Sequence, residues 1–360
     1  MLTALAVVTA LLLTMSLLPL IRHPYWLFRS MEFPRLQLVV LASALMVADV
    51  YLLDLRTPLP WGLLLAAAAC LLWQLWWILP YTRLWPVEVK SVDGANQAHQ
   101  LRIITANVLM PNRNARLLLE LIDARQPDIV ITLESDQWWQ DQLDTLLPQM
   151  PHAIKCPLDN LYGMHVYSRL PLTSVETSYL VQDDKPSMHA SVTLRSGQKV
   201  ALHFLHPAPP SPSENRKASE RDAELMIVAS SVGGSGQPIV VTGDLNDVAW
   251  SPTTRLFRKV SGLLDPRIGR GMFNTFHADY PFLRWPLDHL FHSHHFTIGA
   301  IERLPPIGSD HFALLAELWL TPVQGGDQDG IDPNPGDRAR AQAKAKDQNV
   351  GASDVAQPAD

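Results

Sequence analysis

Cysteine is nearly absent from this 360-residue chain, in which Cys70 and Cys156 stand alone and far apart. Two such residues exclude a disulfide framework and a cysteine-based zinc site, and they carry no information about redox compartment. A strong charge excess is also missing. The formal net charge is -6, which marks neither a nucleic-acid-binding nor a strongly acidic chain. Internal repeats are absent as well. Charge is scarcest at the start, where residues 1–80 carry only seven charged side chains: Arg22, Arg29, Glu32, Arg35, Asp49, Asp54 and Arg56. Large apolar residues are scarcest at the end. From about Val323 the chain is Gly, Asp, Gln, Ala and Pro, so residues 321–360 are expected to form a disordered polar tail.

Three apolar runs fill the charge-poor segment. Residues 2–20 contain no charge and are long enough to cross a hydrocarbon core. Residues 36–53 are interrupted by Asp49, and residues 59–79 lie between Pro58 and Pro80 with Trp61, Trp73, Trp76 and Trp77 at their ends, as in an interfacial aromatic belt. A cleaved signal peptide is the alternative for the first run, but it lacks a basic start and two more spans come after it. Asp49 is expected to reach the interface. Arg22, Arg29, Arg35, Arg83 and Lys90 fall on one side of the spans against Arg56 on the other, which places the globular part on the cytoplasmic side. The reading is a three-helix transmembrane anchor over 1–80, a polar linker over 81–100 and a globular domain over 101–320.

The globular part opens with a strand over 101–108. A helical spacing of Leu117, Leu118, Leu121 and Ile122 comes next, then a buried strand over 129–133 and a second helix around Trp138, Trp139, Leu143 and Leu146. Further strands fall at 164–167, around Val175, and at 189–194 and 200–205, with a helix over 213–230 and a strand ending at Thr242. An irregular region containing Pro252 and Pro266 precedes last strands at 287–291 and 312–320. Strands and helices in this order predict two packed mixed sheets with helices on the outer faces.

The polar residues at the strand ends carry the chemistry. In Ile239-Val240-Val241-Thr242-Gly243-Asp244-Leu245-Asn246-Asp247, four apolar or β-branched residues read as a buried strand ended by glycine. If the chain stays extended, Asp244 and Asn246 point to one side and aim an acid and an amide at one spot. An ordinary Asx turn is the competing reading. Asn107, Glu134, His206, Asp288 and Asp310-His311 end or begin the other strands, where groups are rigidly held yet accessible. Helix or turn capping is the bland reading for Asn107 and Glu134, and an idle loop histidine for His206. Asp288 and Asp310, flanked by apolar residues, need a cation or a histidine as partner. His277, His292, His294 and His295 read as a histidine-rich loop.

Taken in order, T-A-N-V (105–108), P-D-I-V-I-T-L-E (127–134), G-M-H-V-Y-S-R (163–169), L-H-P-A-P (205–209), G-D-L-N-D (243–247), N-T-F (274–276), P-L-D-H-L-F (286–291) and S-D-H-F-A-L (309–314) resemble the endonuclease/exonuclease/phosphatase superfamily. The resemblance implies a four-layer α/β sandwich of two mixed sheets, like deoxyribonuclease I, and metal-dependent hydrolysis of a phosphate ester. It implies Glu134 as principal metal ligand with Asn107 and Asp310 beside it. Asp244 and Asn246 then orient water and phosphate, His311 contacts the scissile phosphate with Asp288 as its partner, and His206 is a second active-site histidine. Where some members carry an acid two places after the first asparagine, this chain has Leu109, so either the metal shell holds one fewer carboxylate or Asn112 approaches it.

An all-oxygen donor set suits Mg2+, with Mn2+ as the alternative ion, and not zinc. The bilayer and a phosphate ester, either nucleic acid or phospholipid, are the expected partners. Residues 101–320 hold 19 Lys and Arg against 23 Asp and Glu, whereas duplex nucleic acid usually calls for a basic face; the balance does not decide between nucleic acid and lipid. Arg255, Arg258, Lys259, Arg267 and Arg270 read either as a local phosphate patch or as a solvated surface. A phosphomonoesterase of phosphorylated head groups and a non-catalytic membrane scaffold that keeps the fold are the alternatives.

Overall fold

The computed structural model describes residues 1–94 and 96–357. Eleven strands form two sheets. The first has six strands: β1 (Gln100–Asn107), β2 (Ile129–Leu133), β3 (His152–Cys156), β4 (Met164–Ser168), β10 (Phe296–Pro306) and β11 (Phe312–Leu320). Their spatial order is β10-β11-β1-β2-β4-β3. The second holds β5 (Leu172–Ser178), β6 (Ser187–Thr193), β7 (Lys199–Leu205), β8 (Ile239–Asp244) and β9 (Asp288–His292), in sequence order. β1 and β2 pair in parallel, as do β7 and β8, and each parallel pair is linked through a helix.

The central strands are buried on both faces, which explains their continuous apolar runs. Ile103 and Ile131 from one sheet meet Leu202, Val240 and Leu290 from the other in the central layer. The alternate residues Ile104, Ala106 and Val130 face the helices Ala115–Arg125 and Gln137–Leu143. Val241 and Phe291 face Ser219–Val232 and Pro252–Ser261. This is the four-layer arrangement expected from the resemblance.

Three elements depart from the expectation. β3 and β10 lie at sheet edges, where one-sided burial weakens the periodic signal. β10 is further interrupted by a register shift between Ile298 and Ala300. There a Cβ on Gly299 would stand 2.5 Å from the Glu317 carboxylate. The third is the helix Pro252–Ser261, in a region that its prolines mark as irregular. Proline sits at its first turn, where the missing N–H costs nothing, and Ser251 caps it.

Three helices, within Leu2–Leu20, Arg35–Leu52 and Pro58–Tyr81, are long and apolar enough to cross a membrane. They are joined by a polar seam: Arg35 donates to Gln74 Oε1 at 2.9 Å, and Gln74 donates to Ser16 Oγ at 3.0 Å. Asp49 is buried between helices and does not reach outward. The segment 81–100 is more than a polar linker. Val89 is fully buried in the central layer, and Ser91 bridges to Ile298.

The tail also departs from its expectation. Pro335–Lys346 is a helix with a capping box from Asn334 and Asp337. It buries Ala341 against the layer of Ser219–Val232, and Lys344 donates to Asp222 Oδ2 at 2.6 Å. Composition hides this because the tail needs no core of its own; it borrows an existing one.

Candidate active site

The site is assembled where β1, β2, β8 and β9 end or begin on one edge of the sandwich. Two threonines set the spacing. Thr105 on β1 and Thr242 on β8 join their hydroxyls across the two sheets at 2.7 Å, and Thr242 donates on to the His289 carbonyl at 2.7 Å. Two residues further along each strand, Asn107 Nδ2 lies 3.2 Å from Asp244 Oδ2. Just before Asp244, Gly243 lets β8 lie against β7, since a Cβ there would fall 1.9 Å from the Leu205 carbonyl oxygen and its φ is +151°.

Asn107 Nδ2 also donates to Glu134 Oε1 at 2.7 Å, while its Oδ1 accepts the Leu109 N–H at 3.1 Å. Asn107 therefore stands as a bridge between two carboxylates, with its amide N–H groups toward them. Glu134 adopts a left-handed φ of 57° just past β2, a conformation unusual for a side-chain-bearing residue and concentrated at functional positions. Burial pushes its carboxyl up to about 7, against the stabilising Asn107 hydrogen bond.

On the opposite sheet, Asp288 Oδ2 accepts from His311 Nδ1 at 2.8 Å, and His311 Nε2 lies 3.5 Å from Asp244 Oδ2. Burial works against charge on His311, but Asp288 and Asp244 outweigh it and raise the imidazole to about 10. His311 is thus an imidazolium at neutral pH. His206, also buried, is pushed down by that burial to about 4, and its Nδ1 has no hydrogen-bond partner. The Tyr162 ring lies 5.0 Å from it.

Asp244 and Asn246 do not project from an extended chain. Asn246 takes a left-handed φ of 51°, its N–H donates to Asp244 Oδ1 at 2.9 Å, and its Nδ2 donates to the Pro207 carbonyl at 3.0 Å. The string is an Asx turn and a site component together: the turn ties the β8 end to the loop after His206. Asp310 lies close enough to act on both Glu134 and His311, and its carbonyl accepts the Ala278 N–H at 2.6 Å. Asn112 is tied up locally: its Oδ1 accepts the Asn114 N–H at 3.1 Å, and its Nδ2 donates to the Val108 and Ile307 carbonyls. The five-residue basic cluster is no phosphate patch. Arg258 and Arg267 are buried in ion pairs with Glu88 and Asp265.

Among the described residues, Asp244, Asp288 and His311 form a compact acid and imidazole trio. In this trio His311 is hydrogen-bonded to Asp288 through Nδ1, and its Nε2 faces Asp244. The oxygen donors of Glu134 and Asp310 suit a hard cation, and burial of Glu134 disfavours its charged form. Tyr162 is a site residue that the sequence does not single out, although it directly precedes the G-M-H-V-Y-S-R motif. Its hydroxyl donates to Glu214.

The profile of the endonuclease/exonuclease/phosphatase family matches residues 104–311, and the chain belongs to that family. Members of the family are in general phosphoesterase and nuclease hydrolases that use divalent metals. No curated protein matches the sequence significantly. Among solved structures, the chain is similar to the human Nocturnin catalytic domain with bound sulfate anion, at 19% identity and a TM-score of 0.51, covering 62% of this chain and 95% of that one. It is similar also to an endonuclease/exonuclease/phosphatase from Beutenbergia cavernae DSM 12333, at 17% identity and a TM-score of 0.50, over 62% and 72%. What is shared with these structures is the deoxyribonuclease I-like two-sheet fold.

Proposed function

We propose that the protein is a membrane-anchored, divalent-metal-dependent phosphoesterase that hydrolyses a phosphodiester by in-line attack of water. The observation that carries this reading is the geometry of the cleft: His311 is bonded to Asp288 at 2.8 Å and lies 3.5 Å from Asp244, beside the buried Glu134 carboxyl on the neighbouring strand end. Glu134 and Asp310 are the residues to hold Mg2+ or Mn2+, which supplies charge neutralisation on the phosphate. Asp244 accepts the proton of the attacking water. His311, its tautomer set by Asp288, donates a hydrogen bond to a phosphate oxygen as negative charge develops there. Asn246 fixes the loop that carries Asp244, and His206, neutral and with a free Nδ1, is available to bond the substrate.

The three apolar helices are the anchor, and the count of basic residues in their flanks supports a cytoplasmic catalytic domain. A reporter fused after Leu320 tests that side. The chemistry is tested with the detergent-purified full chain on bis(4-nitrophenyl) phosphate, stripped of metal and then given Mg2+ or Mn2+. Turnover restored by the metal and lost in Asp244→Ala and His311→Ala is the expected result. Turnover indifferent to metal, or retained in both variants, overturns the reading.

A further inference from the structure

Residues 277–286 form a loop with three apolar side chains that nothing in the fold covers: Tyr280 is 57% exposed, Phe282 87% and Leu283 48%. The loop is nonetheless ordered by its own hydrogen bonds, Leu283 N–H to the Tyr280 carbonyl at 2.9 Å and His277 N–H to the Leu283 carbonyl at 3.2 Å. A contiguous exposed apolar patch on an ordered loop marks a surface that meets something apolar. Its position says what. Gln37, in the first turn of the helix Arg35–Leu52, donates Nε2 to the Phe282 carbonyl at 2.7 Å. Phe33, just before that helix, packs edge-on against Trp285 with ring centroids 5.7 Å apart. The loop tip therefore lies level with the start of a helix that is long and apolar enough to cross a bilayer.

The inner end of the same loop touches the reacting groups. Trp285 stacks on Phe276 at 6.3 Å, the Phe276 ring is 4.9 Å from that of His311, and Ala278 bonds the Asp310 carbonyl. Two further contacts between the N-terminal helical part and the domain fall close to this edge, while others, such as Arg29 with Asp222, lie on the outer helix layer. Trp250 Nε1 donates to the Glu32 carbonyl at 2.9 Å, and the Tyr81 hydroxyl donates to the Ala249 carbonyl at 2.6 Å. Both domain residues belong to the segment just after Asp244 and Asn246. Part of the surface that docks on the helices is thus the segment next to the site, where Ile78, Tyr81 and Trp77 pack with Val248, Ala249, Trp250 and Leu287.

We propose that the loop tip at residues 280–283 enters the membrane surface and that the site hydrolyses the phosphate ester of a lipid held in the same bilayer, in preference to nucleic acid in solution. The proposal rests on the phosphoesterase reading and on the anchor. The anchor holds the strand-end edge against the bilayer, where lipid phosphates lie at the depth of the loop, and the aromatic side chains suit that interfacial zone. Water adds its oxygen to phosphorus and gives up one proton. The ester P–O bond breaks, and the departing alcohol oxygen gains one proton, so the exchange is balanced by water alone.

The test uses the full chain reconstituted with Mg2+ into vesicles of phosphatidylcholine, phosphatidylethanolamine, phosphatidylglycerol and sphingomyelin. It is set beside a Tyr280→Ser/Phe282→Ser/Leu283→Ser variant and a Phe282→Trp variant. Lipid products are read by mass spectrometry, soluble bis(4-nitrophenyl) phosphate by absorbance, and plasmid DNA by gel. The expected result is hydrolysis of a vesicle lipid that falls at least tenfold in the triple variant, while the soluble ester is turned over within twofold of the parent rate. Brominated lipid should quench a larger share of the emission in Phe282→Trp than in the parent chain, whose Trp61, Trp73, Trp76 and Trp77 already lie in the apolar helices. Cleavage of plasmid DNA or the soluble ester with no lipid product, a lipid rate unchanged in the triple variant, or no added quenching in Phe282→Trp overturns this proposal and leaves the phosphoesterase reading standing. Absence of all turnover overturns both.

Discussion

The two sheets present acids to the same cleft, but they compensate them differently. On the five-stranded sheet, Asp244 and Asp288 share a buried imidazolium supplied by the protein itself, with His311 bonded to Asp288 at 2.8 Å. On the six-stranded sheet, Glu134 has only the amide of Asn107 at 2.7 Å, and burial raises it to about 7. The contrast is one of charge compensation, an imidazole hydrogen-bonded within the fold on one side and a neutral amide on the other. It is repeated in the histidines. His311, between carboxylates, is raised to about 10, while His206, on the same edge without a bonded acid, is lowered to about 4.

The comparison breaks most sharply with one substitution in each half. Asp288→Asn, which keeps the shape but removes the charge that holds His311 protonated, should reduce turnover of bis(4-nitrophenyl) phosphate by about 10³-fold. It should leave the Mg2+-dependent rise in unfolding temperature in place. Glu134→Gln should abolish both. Steady-state kinetics and thermal unfolding with and without Mg2+ check this pair; loss of the Mg2+ response in Asp288→Asn would merge the two halves into one.

A smaller effect sharpens the contrast between partnered and unpartnered imidazoles. His189 and His203 are buried on adjacent strands with Nδ1 atoms 2.8 Å apart, and burial lowers them to about 4 and about 3. Both folded values lie below that of an unfolded histidine, so the unfolded chain takes up protons first as pH falls below about 6.5. Stability is lost over that fall, on the order of 2 kcal/mol per imidazole between pH 7.5 and 5. The His189→Leu/His203→Leu variant should lose correspondingly less stability over this interval, measured by denaturant unfolding at the two pH values. An unchanged slope would mean the pair is already protonated in the fold.

The smallest expected effect lies behind the site, where the acids are compensated most fully. Asp222 is buried, and burial opposes its charge, yet Arg221, Lys344 and Arg29 outweigh it and hold the carboxyl well below the usual range. Arg221 also donates to the Asn246 carbonyl at 2.7 Å, so this cluster backs the catalytic loop. Lys344 is the most exposed of the three cations. Lys344→Ala should cost about 0.5–1 kcal/mol of unfolding free energy, with kcat and KM unchanged. A loss of activity without a loss of stability would show that the tail helix positions the loop.

The sequence alone determined the family, the parallel core strands and every polar residue at their ends. Doubly buried strands must be continuously apolar, so Ile129–Leu133 and Ile239–Asp244 announce themselves, and so does the first polar residue past each. It also showed three runs of membrane-spanning length. Tertiary structure decided what depends on neighbours distant in the chain. Edge strands such as Phe296–Pro306 have one weakly patterned face, and the Pro335–Lys346 helix is stable only on a surface provided by Ser219–Val232. The turn at Asn246 replaced an extended rim because a local Asp244 side chain satisfied its backbone. The charge states were beyond the sequence as well. Whether a histidine is an imidazolium or neutral depends on burial and on the acid folded against it; the pairing of β9 with β8 set Asp288 beside Asp244, and only the packing of the two sheets brought His311, just before β11, to both.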